Sequence, residues 1–227
     1  MGYPEDVQIT PGLRERKKAQ TRRAISDVAT RLFVERGFDA VTVAEVAEAA
    51  GVSIKTVFNY FGSKEELFLD REAEVRTAIV SAVAGRPEGQ SVTGALTRLF
   101  TEHRVPGVEG WSELADPEQM AMFRRFLETL YASEGLRARL LLSGEPLGDE
   151  LAAVIGRSGG RDPGDVEVRA FVAMLLAAMG LRHRAMVQGV LAGRPAAEVE
   201  ADVRRAAITA FAAVARAFPE LDRAASP

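Results

Sequence analysis

One short stretch carries the side-chain types that recognise DNA: Ile54, Lys55, Thr56, Asn59 and Tyr60. Lysine donates hydrogen bonds to guanine or phosphate, asparagine pairs with adenine edges, and isoleucine contacts thymine methyl groups. Threonine and tyrosine hydroxyls donate to phosphates. On one face of a short helix, this set predicts a surface that binds in a DNA groove. The alternative is an ordinary helical hairpin whose polar face is solvated, because amphipathic helix pairs are common.

The residues before and within this stretch predict two short helices that meet at a tight bend. Thr42 followed by Glu45 is a capping box, which starts the first helix. Gly51 can end that helix in the left-handed conformation, and Ser53 can cap the start of the next helix. The order of these signals is typical of a helix-turn-helix.

A third helix is predicted to begin where Ser63 and Glu66 repeat the capping box. Residues 64–84 contain neither proline nor glycine, so this stretch is predicted to be one helix that ends at Gly85. An unbroken helix here would connect the helix-turn-helix rigidly to the rest of the chain.

Basic residues are concentrated before the helix whose apolar face begins at Ile25. They are Arg14, Arg16, Lys17, Lys18, Arg22 and Arg23. Because the whole chain has a formal net charge of −3, this basic end indicates one surface that faces a polyanion and holds phosphates. The alternative is a solvated terminus, and residues 1–12 are predicted to be disordered.

The run from Thr21 to Lys64 resembles the N-terminal DNA-binding domain of TetR-type transcriptional regulators. The segments that carry the resemblance are TRRAI, ATRLFVERGF, TVAEVAEAAGVS, TVFNYF and SKEEL. They cover the first third of the chain. The resemblance implies an all-α, dimeric, one-component repressor, with a helix-turn-helix DNA-binding domain over 13–62 and a helical ligand-binding and dimerisation domain over 63–227.

Residue chemistry and this resemblance together give the candidate DNA contacts, which are Thr42, Ser53, Ile54, Lys55, Thr56, Asn59, Tyr60 and Lys64. Lys55 and Asn59 are expected to read bases, and the hydroxyl groups and Lys64 to hold phosphates. Lys55 stands where the family often has a small residue such as glycine. Phe58 stands where tyrosine is usual, and its ring cannot donate a hydrogen bond to phosphate. The ring is expected to pack in the core or against a backbone sugar, and Phe58 is assigned a structural role.

Length and composition fit one small and one larger domain. The chain has 227 residues, 47% of them hydrophobic, and contains no cysteine. Disulfides and thiolate chemistry are therefore excluded, and a reducing cytoplasm is the expected location. No apolar stretch of signal-peptide length opens the chain, and the apolar run over 170–181 is too short to span a bilayer.

The last two predicted helices, about 165–192 and 197–218, are expected to form a dimer interface as half of a four-helix bundle. On the first of them the candidate residues are Ala170, Ala173, Met174, Ala177, Ala178 and Leu181. On the second they are Val199, Val203, Ala206, Ala207, Ala210, Phe211, Val214 and Phe218. The alternative is that these faces belong to the core of a single chain.

Aromatic and methionine side chains of the middle helices could line a mostly apolar ligand pocket. The candidates are Phe100, His103, Trp111, Phe123, Phe126, Met174 and His183. Core packing explains each of them equally well. An acidic group on such a ligand would be expected near Arg124, Arg125 or Arg182. Two histidines far apart in sequence do not indicate a metal, and no cofactor motif is present.

These observations predict a sequence-specific transcriptional regulator, a homodimeric repressor that a small apolar effector releases from a palindromic operator. A transcriptional activator and a nonspecific architectural DNA-binding protein are the alternatives. An architectural protein would carry basic charge along the whole chain, whereas here the charge is concentrated at one end. An enzyme is disfavoured, because no catalytic triad, paired-carboxylate motif or phosphate-binding loop is found.

Overall fold

The computed structural model describes residues 12–102, 111 and 113–223, and in these residues all regular secondary structure is helical. The helices, in chain order, are α1 Leu13–Arg36, α2 Val43–Ala49, α3 Ile54–Tyr60, α4 Lys64–Phe68, α5 Glu72–Ala84, α6 Val92–Thr101, α7 Pro117–Ala132, α8 Glu134–Leu142, α9 Gly144–Ser158, α10 Val166–Leu191, α11 Ala196–Ala217 and α12 Pro219–Arg223. The predicted all-α fold is therefore confirmed.

The chain divides into two compact units between Asp70 and Arg71. The first unit contains α1–α4, and the second contains α5–α12. The domain boundary expected after residue 62 falls between α3 and α4, inside the first unit.

The prediction of one helix over residues 64–84 is wrong, because α4 ends at Phe68 and α5 begins at Glu72. Leu69 leaves helical geometry at φ −102° and ψ 34°. The backbone carbonyl of Asp70 instead accepts a hydrogen bond from Arg22 Nη2 at 3.4 Å. The connection is therefore not the unbroken helix expected from composition, and a residue 48 positions away contacts the backbone at the break.

An aromatic cluster forms the centre of the first unit. The ring centroid of Phe33 lies 5.0 Å from that of Phe38 and 6.1 Å from that of Phe68. Val46 of α2 and Val57 of α3 are buried in the same unit, at 0% and 1% exposure. Burial of this kind is what holds short helices in place, since a helix of seven residues is not stable alone.

Side-chain caps and short breaks separate the helices at the start of the second unit. Asp116 caps α7, its carboxylate accepting from the Glu118 amide at 2.8 Å, and Pro117 follows in the first turn. Ser133 ends α7 and caps α8. Ser143 separates α8 from α9, and Pro146 lies in the first turn of α9, where proline is tolerated.

Helices α10 and α11 pack closely in the second unit. A Cβ atom at Gly189 of α10 would lie 2.8 Å from both methyl carbons of Val199, so only glycine permits this approach. By length and composition alone α10 could also cross a bilayer, with a mean hydropathy of 1.4 in its most apolar window. Its face carrying Phe171 and Leu175 is buried in the protein core, which fits a core helix.

The short helix α12 is attached through a buried carboxylate. Asp222 is 5% exposed, and its two oxygens accept hydrogen bonds from the Thr93 amide at 2.8 Å and the Thr93 hydroxyl at 2.9 Å. The Thr93 amide lies in the first turn of α6 and has no partner within that helix. Asp222 therefore joins the last described helix to the start of α6.

We expect Asp222→Ala to lower the free energy of unfolding by about 2 to 3 kcal/mol, because it leaves the buried Thr93 amide without an acceptor. Denaturant unfolding followed by fluorescence of Trp111, the single tryptophan, measures this in the second unit. Asp149→Ala is the control, since Asp149 pairs with Arg169 on the exposed surface. Equal stability of the two variants would contradict the attachment role of Asp222.

Candidate nucleic-acid interface

The start of α2 is fixed by the predicted capping box. The Thr42 hydroxyl oxygen accepts from the Glu45 amide at 3.2 Å, and the Glu45 carboxylate accepts from the Thr42 amide at 2.8 Å. The hydrogen bond from the Thr42 backbone is the main cause that holds the pKa of Glu45 below its usual value. Glu45 therefore stays ionised at neutral pH, and its negative charge lies at a helix N-terminus, where it is favourable.

The bend between α2 and α3 depends on Gly51, whose φ of +66° is in the left-handed region. The amide of Val52 then donates to the carbonyl of Ala47 at 2.9 Å, which closes the end of α2. Ser53 starts α3, because its hydroxyl oxygen accepts from the Thr56 amide at 3.0 Å. The predicted helix-turn-helix geometry is confirmed.

Helix α3 presents one buried and one exposed face. Val57 and the following Phe61 are each 1% exposed and face the core. The exposed side chains are Ile54, Lys55, Phe58 and Asn59, at positions i, i+1, i+4 and i+5. We name these four residues the α3 face. Thr56 and Tyr60 are half-buried beside it. A face that combines a lysine, an amide and two apolar side chains matches the groups displayed in the DNA major groove.

Phe58 corrects an expectation from the sequence. Phe58 is 53% exposed, so the expectation that its ring packs in the core is wrong, while the expected contact with a DNA backbone sugar stays a prediction. It follows Ile54, itself 47% exposed, by one helical turn, and both side chains therefore project from the same face. The i, i+4 spacing of two apolar residues beside Lys55 and Asn59 could have predicted that Phe58 lies on the exposed face.

Arg22 of α1 fixes the end of α3. Its Nη1 donates to the carbonyl of Tyr60, the last residue of α3, and its guanidinium lies 4.2 Å from the ring centroid of Phe61. Nη2 reaches the carbonyl of Asp70. The sequence had assigned Arg22 to a phosphate-holding cluster, whereas here the guanidinium satisfies carbonyl groups inside its own unit. We name this set of contacts the Arg22 clamp.

Lys64 lies at the first position of α4, and its ammonium nitrogen is 4.4 Å from the ring centroid of Phe38. The capping box predicted at Ser63 and Glu66 is formed only in part. The Ser63 hydroxyl accepts from the Glu66 amide at 3.2 Å, but the Glu66 carboxylate accepts from the amide of Gly62 at 2.7 Å. The start of α4 is still capped by these two residues.

The basic residues before Ile25 lie within α1 itself, which begins at Leu13. Five of their side chains, those of Arg14, Arg16, Lys17, Lys18 and Arg23, are exposed. They form a positively charged helix end in the first unit. Of the terminus expected to be disordered, residues 1–11 lie outside the described part of the chain.

Two of the predicted ligand residues, Phe100 and His183, have described side-chain partners in the second unit. Phe100 of α6 lies under the guanidinium of Arg182, 4.6 Å from ring centroid to guanidinium carbon, and its ring stacks 6.0 Å from that of Phe211. His183 follows Arg182 on α10, and its Nε2 is 2.9 Å from the Tyr131 hydroxyl of α7. Burial, and then the charge of Arg182, lower the pKa of His183.

The other predicted ligand residues differ in their burial. Trp111 is buried at 4% exposure, and the rings of Phe123 and Phe126 stack with centroids 6.5 Å apart. Met174 is 39% exposed on α10, so it does not join the buried residues. His103 lies outside the described residues.

Comparison with known proteins identifies related regulators. Residues 25–70 match the family described as bacterial regulatory proteins, tetR family. The chain is 32% identical over 174 residues to the HTH-type transcriptional regulator TcmR of Streptomyces glaucescens, covering 75% of this chain and 74% of TcmR. It is 39% identical over 74 residues to the HTH-type transcriptional repressor AcnR of Corynebacterium glutamicum, covering 32% of this chain and 39% of AcnR.

A solved structure with the same fold is that of the fatty acid degradation regulator FadR from Bacillus halodurans. The TM-score is 0.51 at 19% identity, covering 89% of this chain and 96% of that protein. At this level of identity the likeness establishes the fold.

Replacement of Arg22 tests the Arg22 clamp. We expect Arg22→Met to lower the opening free energy of α3 by about 2 kcal/mol, because carbonyl groups lose a charged donor. Hydrogen–deuterium exchange of the α3 amides measures this opening. Arg23→Met is the matched control, since Arg23 is exposed on the same helix. Unchanged protection of α3 in Arg22→Met would show that the clamp is not needed.

Proposed function

The chain belongs to the TetR family of bacterial regulatory proteins, and we propose that it is a dimeric cytoplasmic repressor released from a roughly palindromic operator by a small apolar effector. The observation that carries the proposal is the α3 face, four exposed side chains on a helix whose opposite side is buried. Exposure of Ile54 and Phe58 is costly in water and useful against DNA, where thymine methyl groups and sugars provide apolar partners.

Base recognition is assigned to Lys55 and Asn59. Both side chains are exposed and one turn apart on α3, so they can reach neighbouring base pairs from one groove. Phosphate contacts are assigned to residues around this face. They are Thr42, Ser53, Thr56, Tyr60 and Lys64, with the basic end of α1. Phosphate contacts of this kind set position and salt dependence but not sequence preference.

Dimerisation is assigned to the exposed side of α10, which we name the α10 stripe. It comprises Ala170, Ala173, Met174, Ala177 and Leu181, all exposed in a single chain. Small residues over three turns allow a second helix to approach closely. Buried residues cannot share this role. They are Ala178 of α10 and Val199, Val203, Ala207, Phe211 and Val214 of α11, which lie in the core of their own chain. The other residues expected on α11, Ala206, Ala210 and Phe218, are half-buried.

Two substitutions separate base contacts from phosphate contacts. Asn59→Ala should relax the preference at one base position, costing about 1 to 3 kcal/mol of discrimination. Lys64→Ala should instead weaken binding to all sequences and reduce the salt slope by about one. Selection of binding sites from random DNA, followed by salt titration on the selected site, measures both effects.

The selection also tests the proposed function directly. A palindromic site recovered by the parent protein supports a sequence-specific regulator. Recovery of unrelated sequences, bound as tightly as bulk DNA, would establish a nonspecific binder instead. An unchanged site preference in Asn59→Ala would remove this residue from the base contacts.

The α10 stripe predicts a dimer in solution. Leu181→Glu should give a monomer at micromolar concentration, because the dimer would bury two unpaired charges. Leu141→Glu is the matched control, since Leu141 is an exposed leucine of α8, 82% exposed and outside the stripe. Light scattering distinguishes the two states. A dimeric Leu181→Glu variant, or a monomeric parent, would contradict this interface.

A further inference from the structure

Within the described part of the chain, the guanidinium of Arg182 is buried in the second unit without an anionic partner. Arg182 is 7% exposed, and its buried Nε atom has no hydrogen-bond partner among those residues. Among the described residues, none forms a hydrogen bond or an ion pair with a nitrogen of Arg182. The guanidinium instead makes a cation–π contact with the ring of Phe100. Burial lowers the pKa of Arg182 to about 10, so the group is still a cation at neutral pH.

A second buried arginine shows what a structural role looks like in this chain. Arg86 is 3% exposed, but it donates to the Val83 carbonyl at 2.6 Å, and the nearby carboxylate of Asp222 opposes the lowering of its pKa by burial. Arg182 has neither kind of partner in the described residues. A buried cation is normally paired, because removing its hydration costs several kcal/mol.

Polar neighbours of Arg182 are neutral rather than acidic. His183 is the next residue of α10, and its pKa is lowered by burial and by the charge of Arg182. It is hydrogen-bonded to Tyr131, whose pKa is raised by burial. Both groups therefore stay uncharged at neutral pH. Arg182 thus lies against the aromatic face of Phe100, and the next residue of α10 is part of a neutral phenol–imidazole pair.

We propose that Arg182 is the anion receptor of the effector site and binds the carboxylate of a small molecule whose apolar part packs near Phe100. This inference rests on the proposed function, and it names the chemical class of the effector. A guanidinium offers two parallel donors that match a carboxylate. A single cation balances a monoanionic carboxylate, whereas a phosphate dianion would leave one buried negative charge.

The other arginines considered from the sequence fit this role less well. Arg124 and Arg125 of α7 are exposed, and Arg124 already pairs with Glu128 at 3.1 Å. Both arginines line an open cleft beside Met120 and Val190, so an anion held there would stay in contact with water, where a charge pair contributes little. Burial makes Arg182 the strongest of the three as a partner for an anion.

The test compares benzoate with its neutral isostere benzamide. Binding is followed through the His183 imidazole resonance, which a His183→Gln spectrum identifies because the chain has two histidines. Benzoate should bind the parent saturably and raise the pKa of His183, since the carboxylate offsets the charge of Arg182. Benzamide should bind at least ten times more weakly. The variants are Arg182→Met and, as matched control, Arg184→Met, which removes an exposed charge from the same helix.

Arg182→Met should lose at least tenfold in benzoate affinity, while Arg184→Met should bind as the parent does. Arg182→Lys, which keeps the charge without the two parallel donors, should be intermediate. Benzoate and benzamide acting alike on the parent, or full benzoate binding by Arg182→Met, would overturn the proposal. If Arg182→Met does not fold, the proposal is tested by the benzoate affinity of Arg182→Lys and by the difference between benzoate and benzamide binding to the parent.

These spectra are recorded without DNA, so they separate this inference from the proposed function. If the parent binds benzoate through Arg182 but selects no DNA site, the assignment of Arg182 as an anion receptor is supported and the assignment as a repressor is contradicted. If the parent selects a palindromic site but does not distinguish benzoate from benzamide, the repressor is supported and the anion receptor is contradicted.

Discussion

The orientation of α3 depends on the Arg22 clamp. A helix of seven residues cannot be stable alone, and the carbonyls of its last turn have no partners within the helix. The guanidinium of Arg22 satisfies the Tyr60 carbonyl, covers the Phe61 ring and reaches the Asp70 carbonyl. One side chain of α1 therefore fixes the end of α3 and the point where the first unit ends. With Val57 buried on the opposite side, the α3 face is presented in a defined direction.

Two arginines of this chain illustrate opposite uses of the same group. Arg22 is half-buried, and its donors are satisfied by carbonyls of its own unit, so its charge supports the fold. Arg182 is buried against Phe100 and has no such acceptor among the described residues. An unpaired cation in a core lowers the stability of the fold. Residues of binding sites often have such a cost. Arg22 holds the helix that carries the surface assigned to DNA, and Arg182 lies in the core region assigned to the effector.

Local signals allowed much of this structure to be predicted, since a cap such as Ser53 acts within three residues of itself. Features set by distant contacts were missed. The break between α4 and α5 contains no proline or glycine, and the contact at its Asp70 carbonyl comes from Arg22, far away in sequence. Exposure of Phe58 depends on which side of α3 the core covers. Likewise, apolar periodicity could not separate the buried Phe211 from the exposed Leu181, because both lie on amphipathic helices.

The central claim is that the α3 face enters a DNA groove, and cross-linking from position 58 tests it most directly. A photoreactive phenylalanine analogue replaces Phe58, and a second variant carries it at Leu141, which is exposed in the second unit. Each variant is irradiated on DNA selected from a random pool by the parent. We predict a cross-link from position 58 to bases inside the selected site and none from position 141. No cross-link from position 58, in a variant that still binds the site, would contradict the account.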